Sequence, residues 1–120
     1  MTPIVEIAHR SPKKIIFDWT SGADGKASGV TDKFYSGEIQ RIKITHDTTN
    51  PPAASYDVYI IDDDGDDLAC DMLKDIAPIE TKMLSSTQCA LGAVAESKLN
   101  FEITGAGGAG KKGKVMVFLR

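Results

Sequence analysis

A chain of 120 residues has room for one ordinary domain and not for two. With 42% apolar and 26% charged residues its composition is globular, which excludes intrinsic disorder, and a domain of this size can bury a core without metal or disulfide staples. The net charge of −3, with no cationic cluster larger than Lys13-Lys14 or Lys111-Lys112, argues against a nucleic-acid partner; no apolar run approaches a membrane span and no signal peptide is visible, so neither membrane insertion nor export is expected.

The recurring pattern is short period-two alternation between turn residues, the signature of half-buried strands. Ile4–Ile7 is a short strand, and Pro3 and Pro12 on either side suit a sheet edge. The whole stretch Met1–Pro12 is expected to behave as a mobile arm. Lys14–Trp19 places Ile15, Phe17 and Trp19 on one face. Thr20–Thr31 is rich in Gly, Ser and Asp and is expected to turn, with a short hairpin. In Glu38–Thr45, Ile42 and Ile44 share a face but Ile39 falls on the opposite one, and a β-bulge near Gln40-Arg41 restores the register. His46–Ser55, with Asn50-Pro51-Pro52, is a loop.

Tyr56–Asp62 carries Tyr56, Val58 and Ile60 on one face and Tyr59 and Ile61 on the other, the pattern of a central strand. Leu68, Met72, Leu73 and Ile76 have helical spacing and Pro78 follows, which predicts one short helix over Leu68–Ala77. Lys98–Thr104 alternates cleanly, with Leu99, Phe101 and Ile103 on one side. Lys114–Arg120 has Val115, Val117 and Leu119 on one face and Met116 and Phe118 on the other. The glycine-rich Gly105–Gly113 between them predicts a mobile hairpin loop joining paired strands. The expected architecture is an all-β antiparallel β-sandwich, jelly-roll or Ig-like, forming a single domain over residues 1–120.

Three motifs invite a chemical reading. Gly105-x-x-x-x-Gly110-Lys111 has the letters of a P-loop, and Gly105-x-Gly107-x-x-Gly110 those of a dinucleotide fingerprint. Both need a following helix whose amides face phosphate, and the next segment is β-patterned, with Lys112 where a magnesium-binding Ser or Thr belongs. Asp62-Asp63-Asp64-Gly65-Asp66-Asp67 resembles the start of a calcium loop, but Leu73 stands where the bidentate Glu is required, so an acidic, metal-free turn is expected. His9 and His46 lie in polar sequence without a positioned partner, and no G-x-S-x-G is present, so no enzyme is expected. Cys70 and Cys89 lack zinc-ligand spacing and are expected to be two partly buried thiols. Trp19 is either an interface anchor or a core plug whose indole N–H is satisfied locally. No cofactor is expected.

A set of turn-and-strand signatures adds a resemblance. Asp18-Trp19-Thr20-Ser21, Asp24-Gly25, Ser36-Gly37-Glu38-Ile39-Gln40-Arg41, Tyr56-Asp57-Val58, Asp62-x-Asp64-Gly65-x-Asp67, Lys98-Leu99 and Gly113-Lys114-Val115-Met116-Val117-Phe118-Leu119 occur in this order. The order resembles that of small virion structural proteins of tailed bacteriophages, most like head-decoration (cement) proteins, with Phe118 where a Tyr is frequent. The similarity covers most of residues 14–120 and leaves out 68–90. It implies a protein made in the bacterial host cytoplasm that joins the virion on the capsid surface. There it would bind the major capsid protein or another virion protein as a homo-oligomer. A head–tail connector or tail component, or a stand-alone carbohydrate- or peptide-binding β-sandwich, is the alternative. Ile4, Val5, Ile7 and Trp19 are the candidate partner contacts, the first three because a terminal strand can add to a neighbour's sheet edge.

Overall fold

The computed structural model describes residues 4–9, 12–53, 55–78, 81–85, 91 and 93–120. Its strands are β1 (Ile4–Ile7), β2 (Lys13–Thr20), β3 (Ala27–Val30), β4 (Tyr35–His46), β5 (Asp57–Ile61), β6 (Lys82–Ser85), β7 (Ala93–Ser97), β8 (Asn100–Thr104) and β9 (Lys112–Leu119). They form two antiparallel sheets packed as a sandwich. The larger has the order β1-β2-β9-β4-β6, with β7 also on β4, and the smaller has the order β3-β8-β5.

The core lies between them, and the alternation read from the sequence chooses its residues. Ile15, Phe17 and Trp19 from β2, Ile42 and Ile44 from β4, and Val115, Val117 and Leu119 from β9 meet Val58, Ile60, Phe101 and Ile103 of the smaller sheet, all essentially inaccessible. Two aromatic pairs bridge the layers: Phe17 and Phe101 with centroids 5.3 Å apart, and Trp19 and Tyr56 at 5.7 Å, separations at which tilted rings attract. The bulge in β4 is where the isoleucine pattern demanded it. Ile39 pairs with Leu119 and Arg41 with Phe118, so Gln40 is the extra residue and Ile39, Ile42 and Ile44 are all buried.

Four expectations are corrected. First, β8 and β9 do not pair. β8 sits between β3 and β5, and β9 sits between β2 and β4, so each is the centre of a different sheet. The glycine-rich segment therefore crosses the sandwich, and it is stitched down. Ala106 is buried and its N–H donates to the Gly25 carbonyl, Gly110 N–H donates to Ser21 C=O, and Ser21 Oγ donates to Gly108 C=O. Likewise Thr20–Thr31 forms no hairpin, since β2 and β3 lie in different sheets.

Second, residues 68–77 are not helical but a run of turns. Leu68, Leu73 and Ile76 do enter the core, which accounts for their spacing. The Asp67 carboxylate accepts from the N–H groups of Ile60, Ala69 and Asp71, and Cys70 and Asp71 have φ of 53° and 60°. Side-chain acceptors of this kind divert backbone donors from a helix. Third, β5 is an edge strand and not a central one. Its outer edge is nevertheless occupied: Val58 N–H donates to Leu73 C=O, Leu68 N–H to Ile60 C=O, and Tyr56 and Ile76 exchange two backbone bonds. Fourth, the expected arm contains Ile4–Ile7, which is the short strand expected there and is integral to the sheet, paired along its length with Lys14–Phe17, while residues 1–3, 10 and 11 lie outside the described residues.

Gly113 and Gly37 are among the glycines forced by close approach. A Cβ on Gly113 would stand 2.8 Å from Trp19 Cζ2 and 2.8 Å from Thr45 O. Gly37 has φ of 136°, and a Cβ there would meet the Arg120 carbonyl oxygen at 2.1 Å, where no side chain can be placed without moving the backbone.

Candidate assembly surface

The four sequence-derived contact residues separate in the structure. Trp19 is fully buried against Tyr56 and Gly113, so it is a core plug and not a partner contact. Its Nε1 has no hydrogen-bond partner among the described residues, contrary to the expected local satisfaction. Ile4 is also buried, packed over Gly29. Val5 and Ile7 point to the opposite side and are 52% and 39% exposed. Strand pleating explains the split, because successive residues face opposite ways and β1 has one face on the core.

Glu6 shares the inward face with Ile4 and ties β1 down. Its carboxylate accepts from Asp32 N–H at 2.8 Å, Lys33 N–H at 3.1 Å and the Tyr35 hydroxyl at 2.7 Å. Partial burial pushes the Glu6 carboxyl up, but these donors and the Lys33 charge together hold it below the usual carboxylate range. The Tyr35 hydroxyl is pushed well above its usual range, first by burial and then by the Glu6 carboxylate it bonds. The outer edge of β1 pairs with no other described strand.

The outer face of the larger sheet can be assembled from the register. One row reads Val5, Ile16, Met116, Lys43, Met83 across β1, β2, β9, β4 and β6. The next reads Ile7, Lys14, Phe118, Arg41, Ser85. Beyond the first row lie Asp18, Lys114 and Thr45, then Thr20 and Lys112. The result is a mixed face on which Val5, Ile16, Met116, Met83, Ile7 and Phe118 alternate with Lys14, Arg41, Lys43, Lys112 and Lys114, with Asp18 the one acid in these rows. At the far end Glu38 exchanges backbone bonds with Arg120.

Phe118 is clasped: the Arg41 guanidinium carbon lies 4.2 Å from its ring centroid, and Lys14 Nζ lies 5.6 Å away. Cations over a ring face are attracted by its quadrupole. A shallow hollow of about 240 Å³ opens here between Pro12, Gln40, Arg41, Phe118 and Arg120. This surface is not legible along the chain, because its cations alternate with apolar residues in strands far apart in the sequence.

The opposite face of the sandwich is different. Its rows are Ser28, Glu102, Tyr59 and Val30, Asn100, Ile61, with Asp57 beside Thr104. A broad hollow of about 440 Å³ lies near Asp24, Lys26, Ser28, Glu102 and Thr104. The acidic turn Asp62–Asp67 lies at the end of β5, and its carboxylates serve the backbone. Asp62 accepts from Asp64 and Asp66 N–H, and Asp63 accepts from Lys98 N–H. Among the described residues no group of His, Cys, Asp and Glu is arranged to hold a metal ion. Cys70 is exposed and not partly buried as expected, and Cys89 lies outside the described residues. His46 stands beside Gly113 at the end of β4, with Nδ1 buried and unpartnered among the described residues.

No family model matches the chain, and no curated protein matches it. Among solved structures it is similar to an arabinose-bound α-L-arabinofuranosidase, with TM-score 0.45 and 14% identity over 97% of this chain and 21% of that one. It is also similar to the SPRY domain of human HERC1, with TM-score 0.39 and 10% identity over 93% of this chain and 91% of the other. A third likeness is to the VP2 subviral particle of infectious bursal disease virus, with TM-score 0.29 and 14% identity over 98% of this chain and 38% of the other. The chain thus spans about a fifth of the arabinofuranosidase, and likenesses this distant carry no functional argument.

Proposed function

We propose that this chain is a structural protein of a tailed-phage virion: a decoration (cement) protein without enzymatic activity. It binds the outer head surface and stabilises contacts between capsid subunits. The observation that carries the reading is the outer face of the larger sheet, an extended surface across five strands on which apolar side chains stand among cations, ending at the open edge of β1. Apolar area gathered in one patch marks an interaction site more than scattered apolar residues do. An extended face suits a protein partner better than a small molecule, which needs a concave, enclosing site. Repetition over a shell converts modest contacts at each copy into firm attachment. The signatures linking the chain to phage virion proteins support the identity of the partner.

Mass spectrometry of purified virions with copy counting tests the proposal. Decoration requires a copy number in fixed proportion to the capsid subunits. A count matching a single ring means a connector or tail component, and absence from virions ends the phage reading.

A further inference from the structure

The charge pattern of this face specifies the chemistry of its partner. We infer that the outer face of the larger sheet docks a protein surface in which carboxylates alternate with apolar side chains, with a carboxylate side chain of the partner seated in the hollow between Arg41, Arg120 and Phe118. This rests on the docking role proposed above and deepens it.

Three observations carry the inference. The chain as a whole is acidic, with a net charge of −3, yet the rows of this face set Lys14, Arg41, Lys43, Lys112 and Lys114 against Asp18, with Glu38 opposite Arg120 at one end and Asp47 beside Lys112 at the other. Charge segregated against the average of the molecule is what electrostatic complementarity to an opposite surface requires. Next, the cations alternate with apolar side chains and do not form a continuous track. Val5 and Met83 stand about half exposed at the two ends of a row whose inner members are Ile16, Met116 and Lys43. A phosphate backbone laid across that row would meet one cation among four apolar side chains and lose water over the rest, whereas a protein surface matches apolar with apolar and charge with charge. Finally, Arg41 is already positioned over Phe118 at 4.2 Å, so a carboxylate entering the hollow finds a guanidinium fork held before binding. Glu38 exchanges backbone bonds with Arg120 at that end, and the hollow itself is lined by Pro12, Gln40, Arg41, Phe118 and Arg120, two of them cations.

The test uses the full-length, isotope-labelled chain and three synthetic probes: a short peptide alternating Glu with Leu, its Lys-for-Glu counterpart, and a short DNA duplex. Amide chemical shifts are followed during titration. The Glu–Leu peptide is expected to shift β2, β9, β4 and β6, the Lys peptide is not, and DNA is expected to bind at least about tenfold more weakly than the Glu–Leu peptide. Reversing two charges, Arg41→Glu with Lys43→Glu, is expected to weaken the acidic peptide by about tenfold or more, while melting stays near that of the parent chain. Equal binding of the two peptides, tighter binding of DNA, or shifts confined to β3, β8 and β5 would overturn the inference. Virion copy counting is independent. A decoration copy number with no selectivity for the acidic peptide removes this inference alone, and selectivity without virion incorporation removes the functional proposal.

Discussion

The two faces of the larger sheet are built from the same strands and differ in what covers them. Along β2, Ile15, Phe17 and Trp19 are sealed by the smaller sheet, while Lys14 and Ile16 on the reverse remain partly open. Along β9, Val115, Val117 and Leu119 are sealed, and Met116 and Phe118 are half covered. The inner one is uniformly apolar and enclosed; the outer one mixes partly open apolar side chains with cations. The inner face holds the fold, and the outer face is the one proposed to dock a partner.

If that division is right, substitutions on the two faces fail in different assays. The largest loss of stability is expected from Trp19→Ala, about 3–5 kcal/mol for emptying a buried aromatic site. Chemical denaturation should show it, and binding at the outer face should suffer only through unfolding. Gly113→Val comes next. Its side chain would collide with Trp19 and the Thr45 carbonyl, an overpacking cost of about 1–3 kcal/mol that lowers the midpoint of thermal unfolding.

A smaller effect concerns Glu6. Its folded-state carboxyl is held below the usual range by the donors of Asp32, Lys33 and Tyr35, so the stability it contributes is present above the unfolded-state pKa, near 4.3. That stability is lost as pH falls through the depressed folded value. Glu6→Gln should flatten this part of the stability–pH curve, measured by denaturation at neutral and acid pH, and an unchanged curve would remove the tether. Least of all, Met116→Ser on the outer face should change stability by no more than about 0.5 kcal/mol, while weakening partner binding. A Met116→Ser variant that melts far below the parent chain would erase the distinction between the faces.

The sequence carried some of this and not the rest, for physical reasons. Alternation identifies which side chains of a strand turn inward, so the core of β2, β5, β8 and β9 was legible, and the displaced Ile39 revealed the bulge. Alternation is silent on which strand lies next door. Two good strands joined by glycines read as a hairpin, although here the linker carries the chain from the centre of one sheet to the centre of the other. β6 and β7 were missed because Lys82–Ser85 and Ala93–Ser97 have little β-branched or aromatic character, and they are strands because β4 offers them an edge. The turns at 68–77 were misread because Leu68, Leu73 and Ile76 reach the core from turns, and Met72, which lies outside the core, completes a helical spacing with them. The outer face was invisible for the same reason as the sheet order: its rows run across strands, and only register brings Lys43 beside Met116 and Arg41 beside Phe118.

The most direct test of the central claim is oxidative footprinting of the protein free and within purified virions. Met83, Met116 and Phe118 report on the outer face of the larger sheet, and Tyr59 reports on the opposite side of the sandwich. The expected result is strong protection of Met83, Met116 and Phe118 in the particle, with Tyr59 labelled as in the free protein. Protection of Tyr59 with Met83 and Met116 still reactive would place the contact on the other sheet and contradict the account.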